Sequence, residues 1–267
     1  MDEVRHLSTD GSRGTIVVHE WSNDDPTWIA VLVHGYGEHL GRYPHVAERL
    51  RADGAVVVGP DHEGHGRSDG ERVLITDFET VVDDLHSVVT RARETYAGLP
   101  VVMVGHSLGG LIATRYAQRH RDELTALVLS GPVIGSWHPT ALADLPEIPD
   151  DPLDVSTLSR DAAVGVAYAA DPLVWHGPFK RETLRAITSM LRTINEGGDL
   201  GTLPTLWLHG GADELVPIGP SREGIETIRG GEFSEHVYDG ARHEIFNETN
   251  QNDVLDDAVA FVRAHLG

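Results

Sequence analysis

The stretch from Val101 to Ala113 limits what this chain can fold into more than any other part of it. Four apolar residues, Val101, Val102, Met103 and Val104, are followed by Gly105-His106-Ser107-Leu108-Gly109 and then by Gly110-Leu111-Ile112-Ala113. The order predicts a buried strand, a sharp turn and a helix. A serine at such a turn takes strained backbone angles. Gly105 and Gly109, having no Cβ, let strand and helix pass close together, and Gly110 extends that relief. Ser107 Oγ is then exposed at the helix N-terminus, with the Leu108 N–H aimed at any negative charge that develops beside it.

Strand and helix signals alternate around this turn. Val4 to Ser8 and Thr15 to Trp21 read as an opening hairpin. Ile29 to Val33 and Ala55 to Val58 are continuous apolar runs, as expected of interior parallel strands covered on both faces. Helical patterns cover Tyr43 to Ala52 and Leu108 to His120. Another starts at a capping box, Thr76-Asp77-Phe78-Glu79, and runs toward Gly98. A strand at Ala126 to Leu129 completes the first part, and the alternation demands a mostly parallel sheet with helices on both faces.

After Pro132 the pattern changes. Residues 133–203 hold proline-rich acidic loops and two helix-like pieces, Arg160 to Ala169 and Thr183 to Asn195, but no strand. They read as a helical cap inserted after the sixth strand, with residues 1–132 and 204–267 forming the core. Strand signals return at Pro204 to Asp213 and at Glu235 to His243, and an amphipathic helix closes the chain.

A serine hydroxyl needs a base within hydrogen-bond reach and an acid that holds the base in the right tautomer. Open α/β sheets place such residues at the carboxyl ends of their strands. Asp213 and His243 stand at two late strand ends, giving the order Ser, Asp, His. Asp239 is the competing acid, but four residues before the histidine it is too local to reach behind the ring. His106 is expected to point to the opposite side of its strand in a structural role. The second oxyanion donor, beside Leu108 N–H, is the N–H of Tyr36 in the loop after Ile29 to Val33.

Composition narrows the partners. With 21 basic and 42 acidic residues the net charge is -21, which repels nucleic acid and anionic membranes. No cysteine is present, so there is no disulfide, thiolate metal site or cysteine nucleophile. Asp61, His62, Glu63 and His65 look like metal ligands by composition. Two histidines three apart in a glycine-rich loop lack the spacing of a zinc site, so no metal and no cofactor is expected. The residues after Met1 are acidic with no apolar run behind them, and no stretch is long enough to span a bilayer, so a cytoplasmic protein is expected.

Taken together, His34-Gly35-Tyr36-Gly37-Glu38-His39 with Gly41-Arg42-Tyr43, Asp61 to Ser68, Gly105 to Gly110, His209 to Asp213 and Gly240 to Glu244 resemble the monoacylglycerol lipase family of α/β-hydrolases. The resemblance is weakest in the cap. It implies an α/β-hydrolase fold and a carboxylic ester hydrolase that cleaves monoesters of glycerol and fatty acid beneath an apolar cap. It implies that Glu38 and Arg42 organise the glycerol side of the pocket. Phe246 stands where some members carry a second histidine. Trp137, Trp175, Phe179, Met190 and Leu191 are the apolar cap residues from which an acyl tunnel would be built. Alternatively, the face of Leu184, Ile187, Leu191 and Ile194 only seals the cap onto the sheet. The partners expected are a small lipid ester and, through the cap, a transient membrane or micelle surface. The rival readings are a broader carboxylesterase, a serine aminopeptidase using cap acids such as Asp144, Glu147, Asp150, Asp151 and Asp154, and a non-catalytic ligand-binding protein.

Overall fold

In the computed structural model, which describes residues 4–267, eight strands form one sheet in the order β1-β2-β4-β3-β5-β6-β7-β8. The strands are β1 (Arg5–Gly11), β2 (Gly14–Trp21), β3 (Trp28–Val33), β4 (Ala55–Pro60), β5 (Val101–His106), β6 (Ala126–Ser130), β7 (Thr205–Gly210) and β8 (Phe233–Tyr238). The β1–β2 and β2–β4 pairings are antiparallel, and every other neighbour is parallel. The mostly parallel sheet of an α/β-hydrolase is therefore present. Its interior strands split by period two. In β3, Ile29, Val31 and Val33 join one apolar layer, while Trp28, Ala30 and Leu32 join the other.

Helices cover both faces. Against the second layer pack α1 (Pro44–Arg51), through Val46, Ala47 and Leu50, and α7 (Gln251–His265), through Val254, Leu255 and Ala258. The first layer receives α2 (Phe78–Thr95), α3 (Leu108–His120), α5 (Arg181–Glu196) and α6 (Ile218–Ile228). Between β6 and β7 the chain forms no strand. It holds 3-10 turns at His138–Asp144 and Val155–Thr157, then α4 (Ala162–Ala170) and α5. Leu184, Ile187, Met190, Leu191 and Ile194 of α5 belong to the same apolar layer as the sheet, so α5 is part of the core packing. Around α4, by contrast, Leu158, Tyr168 and Val174 form a small separate cluster.

Several local expectations change. The cap of α2 is Asp77, whose side chain accepts from Glu79 N–H, rather than Thr76. Helix α6 carries Gly219, Pro220 and Gly224, which mask its pattern in the sequence. Gly224 is there because a Cβ would lie 2.2 Å from Gly135 N, so close backbone contact overrides propensity. Strand β8 stops at Tyr238, and the chain turns at Gly240 (φ 68°), so His243 lies five residues beyond the strand rather than at its end.

Candidate active site

Ser107 sits between β5 and α3 with φ 55° and ψ -120°, a region that costs energy for any side chain. The glycines around it are required by contact. A Cβ on Gly105 would lie 2.6 Å from Gly109 O, and one on Gly109 would lie 2.0 Å from Val33 O. The turn thus presses α3 against β3 and β5 and leaves the serine at the helix N-terminus. The loop after β3 runs past it: a Cβ on Gly35 would stand 3.1 Å from Ser107 Cβ.

His243 Nε2 is 2.9 Å from Ser107 Oγ, and its Nδ1 is 2.7 Å from Asp213 Oδ2. Because a carboxylate can only accept, Nδ1 carries the proton and Nε2 is left to accept from the serine hydroxyl. The other oxygen of Asp213 accepts from Leu215 N–H (3.0 Å) and Val216 N–H (2.9 Å), which fixes the carboxylate. Asp239 is exposed and takes no part. Burial pushes the His243 pKa down, but the charge and hydrogen bond of Asp213, backed by Glu244 and Glu38, outweigh it and hold the pKa above its ordinary value. Burial likewise works against ionised Asp213, and His243 more than compensates, leaving its carboxyl below the usual range.

Leu108 follows the serine in the chain, and Tyr36 follows Gly35, on which a Cβ would stand 3.1 Å from Ser107 Cβ. Among the described residues, neither Tyr36 N–H nor Leu108 N–H has an acceptor. Buried histidines hold the loop that carries Tyr36. His34 Nδ1 is 2.8 Å from Gly35 O, and His34 Nε2 accepts from His62 N–H at 3.0 Å. Burial lowers His62 to about 3, so it stays neutral. Within the group Asp61, His62, Glu63 and His65, Asp61 accepts from Leu40 N–H and Arg67 N–H, both at 2.9 Å, and His65 Nδ1 lies 2.9 Å from Glu63 O, while His65 Nε2 is buried without a hydrogen-bond partner among the described residues.

His106 is not on the opposite side from the site. Its ring lies 4.9 Å from that of His243, and it lines the same cavity. As the last residue of β5, His106 pairs in register with Ser130 of β6, and its Nδ1 meets Ser130 O at 3.0 Å. Burial and neighbouring His243 bring its pKa down to about 4, so it is uncharged.

The cavity over Ser107 measures about 100 Å³. One patch of its wall is apolar and aromatic, where Tyr36 packs on Phe179 (ring centroids 4.9 Å) and Phe179 on Trp137 (5.7 Å). The other patch is charged. Arg42 donates to Glu38 Oε2 at 2.6 Å and, through both terminal nitrogens, to Glu244 at 2.8 Å each, and lies over the Tyr168 ring at 4.9 Å. Glu38 also accepts from Gly35 N–H (2.7 Å) and Tyr43 O–H (2.6 Å). Glu38 and Arg42 therefore do pair, and also line the cavity. Glu244 is the member that sequence reasoning missed, because its partner lies 202 residues away. Burial opposes its charge, and Arg42 outweighs burial to keep its carboxyl below the usual range.

Of the expected tunnel residues, Trp137 and Phe179 line the cavity, whereas Trp175, Met190 and Leu191 do not. Met190 and Leu191 pack into the core, and Trp175 turns its Nε1 to Pro178 O. Leu153, Leu158, Leu215 and Val216 complete the apolar wall. None of Asp144, Glu147, Asp150, Asp151 and Asp154 reaches it.

A possible metal-ligating trio, His86, His120 and Glu123, lies at the other end of α3, with ligand atoms within 4.8 Å of one another. The two imidazoles stack at 4.0 Å and 9°, so their lone pairs run parallel rather than converge, and Tyr116 O–H already donates to the carboxylate at 2.8 Å.

A strained serine on a strand–turn–helix, hydrogen-bonded through histidine to aspartate at the carboxyl edge of a mostly parallel sheet, defines a serine hydrolase of the α/β-hydrolase fold. Comparison with known proteins narrows the class. A family model described as serine aminopeptidase, S33, matches residues 24–250. A monoacylglycerol lipase of Mycolicibacterium smegmatis is 38% identical, over 96% of this chain and 96% of the relative. Human monoglyceride lipase is 31% identical, over 84% of this chain and 77% of the relative. The crystal structure of a monoacylglycerol lipase from Paleococcus ferrophilus superposes with a TM-score of 0.81 at 28% identity, covering 94% of this chain and 99% of that one. The chain belongs to the monoacylglycerol lipase family of α/β-hydrolases.

Proposed function

We propose that this enzyme hydrolyses monoacylglycerols to fatty acid and glycerol through an acyl-serine intermediate. The observation that carries the reading is the cavity itself, which brings the aligned Ser107 to one apolar patch and one charged, hydrogen-bonded patch. Ser107 Oγ attacks the ester carbonyl as His243 Nε2 takes its proton. Tyr36 N–H and Leu108 N–H receive the oxyanion, and Asp213 steadies the imidazolium. The histidine returns its proton to the departing alcohol, and water then cleaves the acyl-enzyme by the same route. Phe179, Trp137 and Leu158 take the acyl chain, while Glu38, Arg42 and Glu244 border the alcohol.

Segment 133–203 acts as the cap in this reading, with its α4 lobe over the cavity and α5 tying it to the core. The exposed large apolar side chains among the described residues, Leu145, Leu153 and Val166, all lie in it, and Val166 is 70% exposed. They support transient contact with a neutral lipid or micelle surface. No helix among the described residues is long and apolar enough to cross a membrane. Aminopeptidase activity is disfavoured because both carboxylates that line the cavity, Glu38 and Glu244, are already held by Arg42 and cannot also bind an α-ammonium group.

Monooctanoin, trioctanoin, a short p-nitrophenyl ester and an amino-acid amide assayed side by side test the proposal. Monooctanoin is expected to turn over fastest, with the amide inert. Equal rates on trioctanoin and monooctanoin would replace this assignment with a general carboxylesterase.

A further inference from the structure

Glu248 lies just past the 3-10 turn Ile245–Asn247, and its carboxylate is fully buried. Oε1 accepts from Arg242 N–H (2.8 Å) and Arg160 N–H (3.1 Å). Oε2 accepts from Arg160 Nε–H and Thr249 N–H, both at 2.9 Å. One carboxylate thus joins the residue before the catalytic-site histidine to the stretch that leads into α4. Other bonds run across the same seam. Glu244 N–H donates to Leu158 O (2.8 Å), Ser159 O–H to Asn247 O (2.9 Å), and the Arg242 guanidinium to Ser159 O (3.0 Å).

The seam matters because apolar packing between the α4 region and the core is slight, with Leu215 the core residue packed against the Leu158, Tyr168 and Val174 cluster. Leu158 and Tyr168, which line the cavity, belong to the small cluster apart from both main layers. On the far side of α4 the ties are again polar: His39 to Asp171 at 2.9 Å, and Trp175 N–H to Gly37 O at 2.7 Å. Polar contacts of this kind are directional, so they fix a relative position that apolar contacts would leave adjustable.

We propose that Glu248 is a positioning residue for ester hydrolysis, holding the His243 loop and the α4 wall of the cavity as one body, so that aligning the base and closing the wall are a single event. The inference rests on the Ser107–His243–Asp213 reading and adds to it a group that never touches substrate. A Glu248→Gln side chain presents an amide NH₂ to donors that need an acceptor, so the seam loses contacts on one oxygen.

The test uses the full-length enzyme well below its melting temperature. Glu248→Gln is expected to lower kcat on a short p-nitrophenyl ester about 10- to 100-fold, the scale of loss when general-base geometry is spoiled. The rate of fluorophosphonate inactivation is expected to fall in parallel. Hydrogen exchange of residues 156–160 and 242–248 is expected to speed up together while β3 and β5 keep their protection. The downfield Nδ1 proton resonance of His243, identified by its loss in His243→Ala, is expected to broaden. A lower melting temperature with kcat and inactivation rate within twofold of the parent would overturn the proposal, as would faster exchange in only one of the two stretches. Should Glu248→Gln not fold, Arg160→Met removes the side-chain donor from the α4 side alone. It is expected to cause a smaller fall in kcat with the same paired exchange, and unchanged exchange at 242–248 would overturn the proposal. Failure of the underlying reading looks different: the parent enzyme itself would not label at Ser107.

Discussion

Two polar constellations share one cavity and are built on opposite principles. Around Ser107, hydrogen-bonding capacity is left open: the serine backbone is strained, and the Tyr36 and Leu108 N–H groups have no acceptor among the described residues. Around Arg42, two carboxylates and a guanidinium satisfy one another at 2.6–2.8 Å. The contrast separates groups that do chemistry from groups that shape the space in which it is done. A reacting group must have something left to offer the transition state, whereas a saturated buried ion cluster offers rigidity and a fixed field.

The largest effect is expected where the open set is broken. Ser107→Ala is expected to lower kcat by about five to six orders of magnitude, with a triple variant that also removes His243 and Asp213 hardly worse, because the three act as one unit. Multiplicative losses in single-turnover assays would contradict the shared role. Breaking the saturated set is expected to act on stability first. Arg42→Met leaves two buried carboxylates without their cation, and urea unfolding is expected to show a loss of about 3–5 kcal/mol. An unchanged midpoint would mean the cluster is not what holds this wall.

A smaller effect is expected on the apolar patch. Each added CH₂ that reaches the Phe179 and Trp137 wall contributes about 0.8 kcal/mol, so kcat/KM is expected to rise about fourfold per carbon until the cavity ends. A flat profile from two to twelve carbons would rule out an acyl site there. The subtlest test concerns charge. His243 is held above its ordinary value, so the acid limb of kcat/KM is expected above pH 6.5, activity failing as pH falls and Nε2 becomes protonated. Glu244 contributes to the upward shift, so Glu244→Gln is expected to move the limb to lower pH, and a limb moving to higher pH would reverse the assigned role.

How much of this is visible in the sequence follows the same division. The open set was legible, because a strained turn demands glycines at fixed spacing and parallel strands demand apolar runs; Ser107, Asp213 and His243 are found within hydrogen-bond reach of one another. The saturated set was only half legible. Glu38 and Arg42 are four residues apart, but Glu244 and Glu248 depend on partners that only the fold brings near. Residues 133–203 were least legible. An amphipathic face such as that of α5 looks the same whether it lines a tunnel or packs on a sheet, and Met190 and Leu191 turned out to pack. For α6, backbone contact at Gly224 hid a helix behind residues that ordinarily break one.

The most direct measurement is covalent. Fluorophosphonate treatment of the full-length enzyme, read by peptide mass spectrometry, is expected to add one label at Ser107, with labelling abolished in Ser107→Ala and slowed by several orders of magnitude in His243→Ala. A label on another residue, or equally fast labelling without His243, would contradict the account.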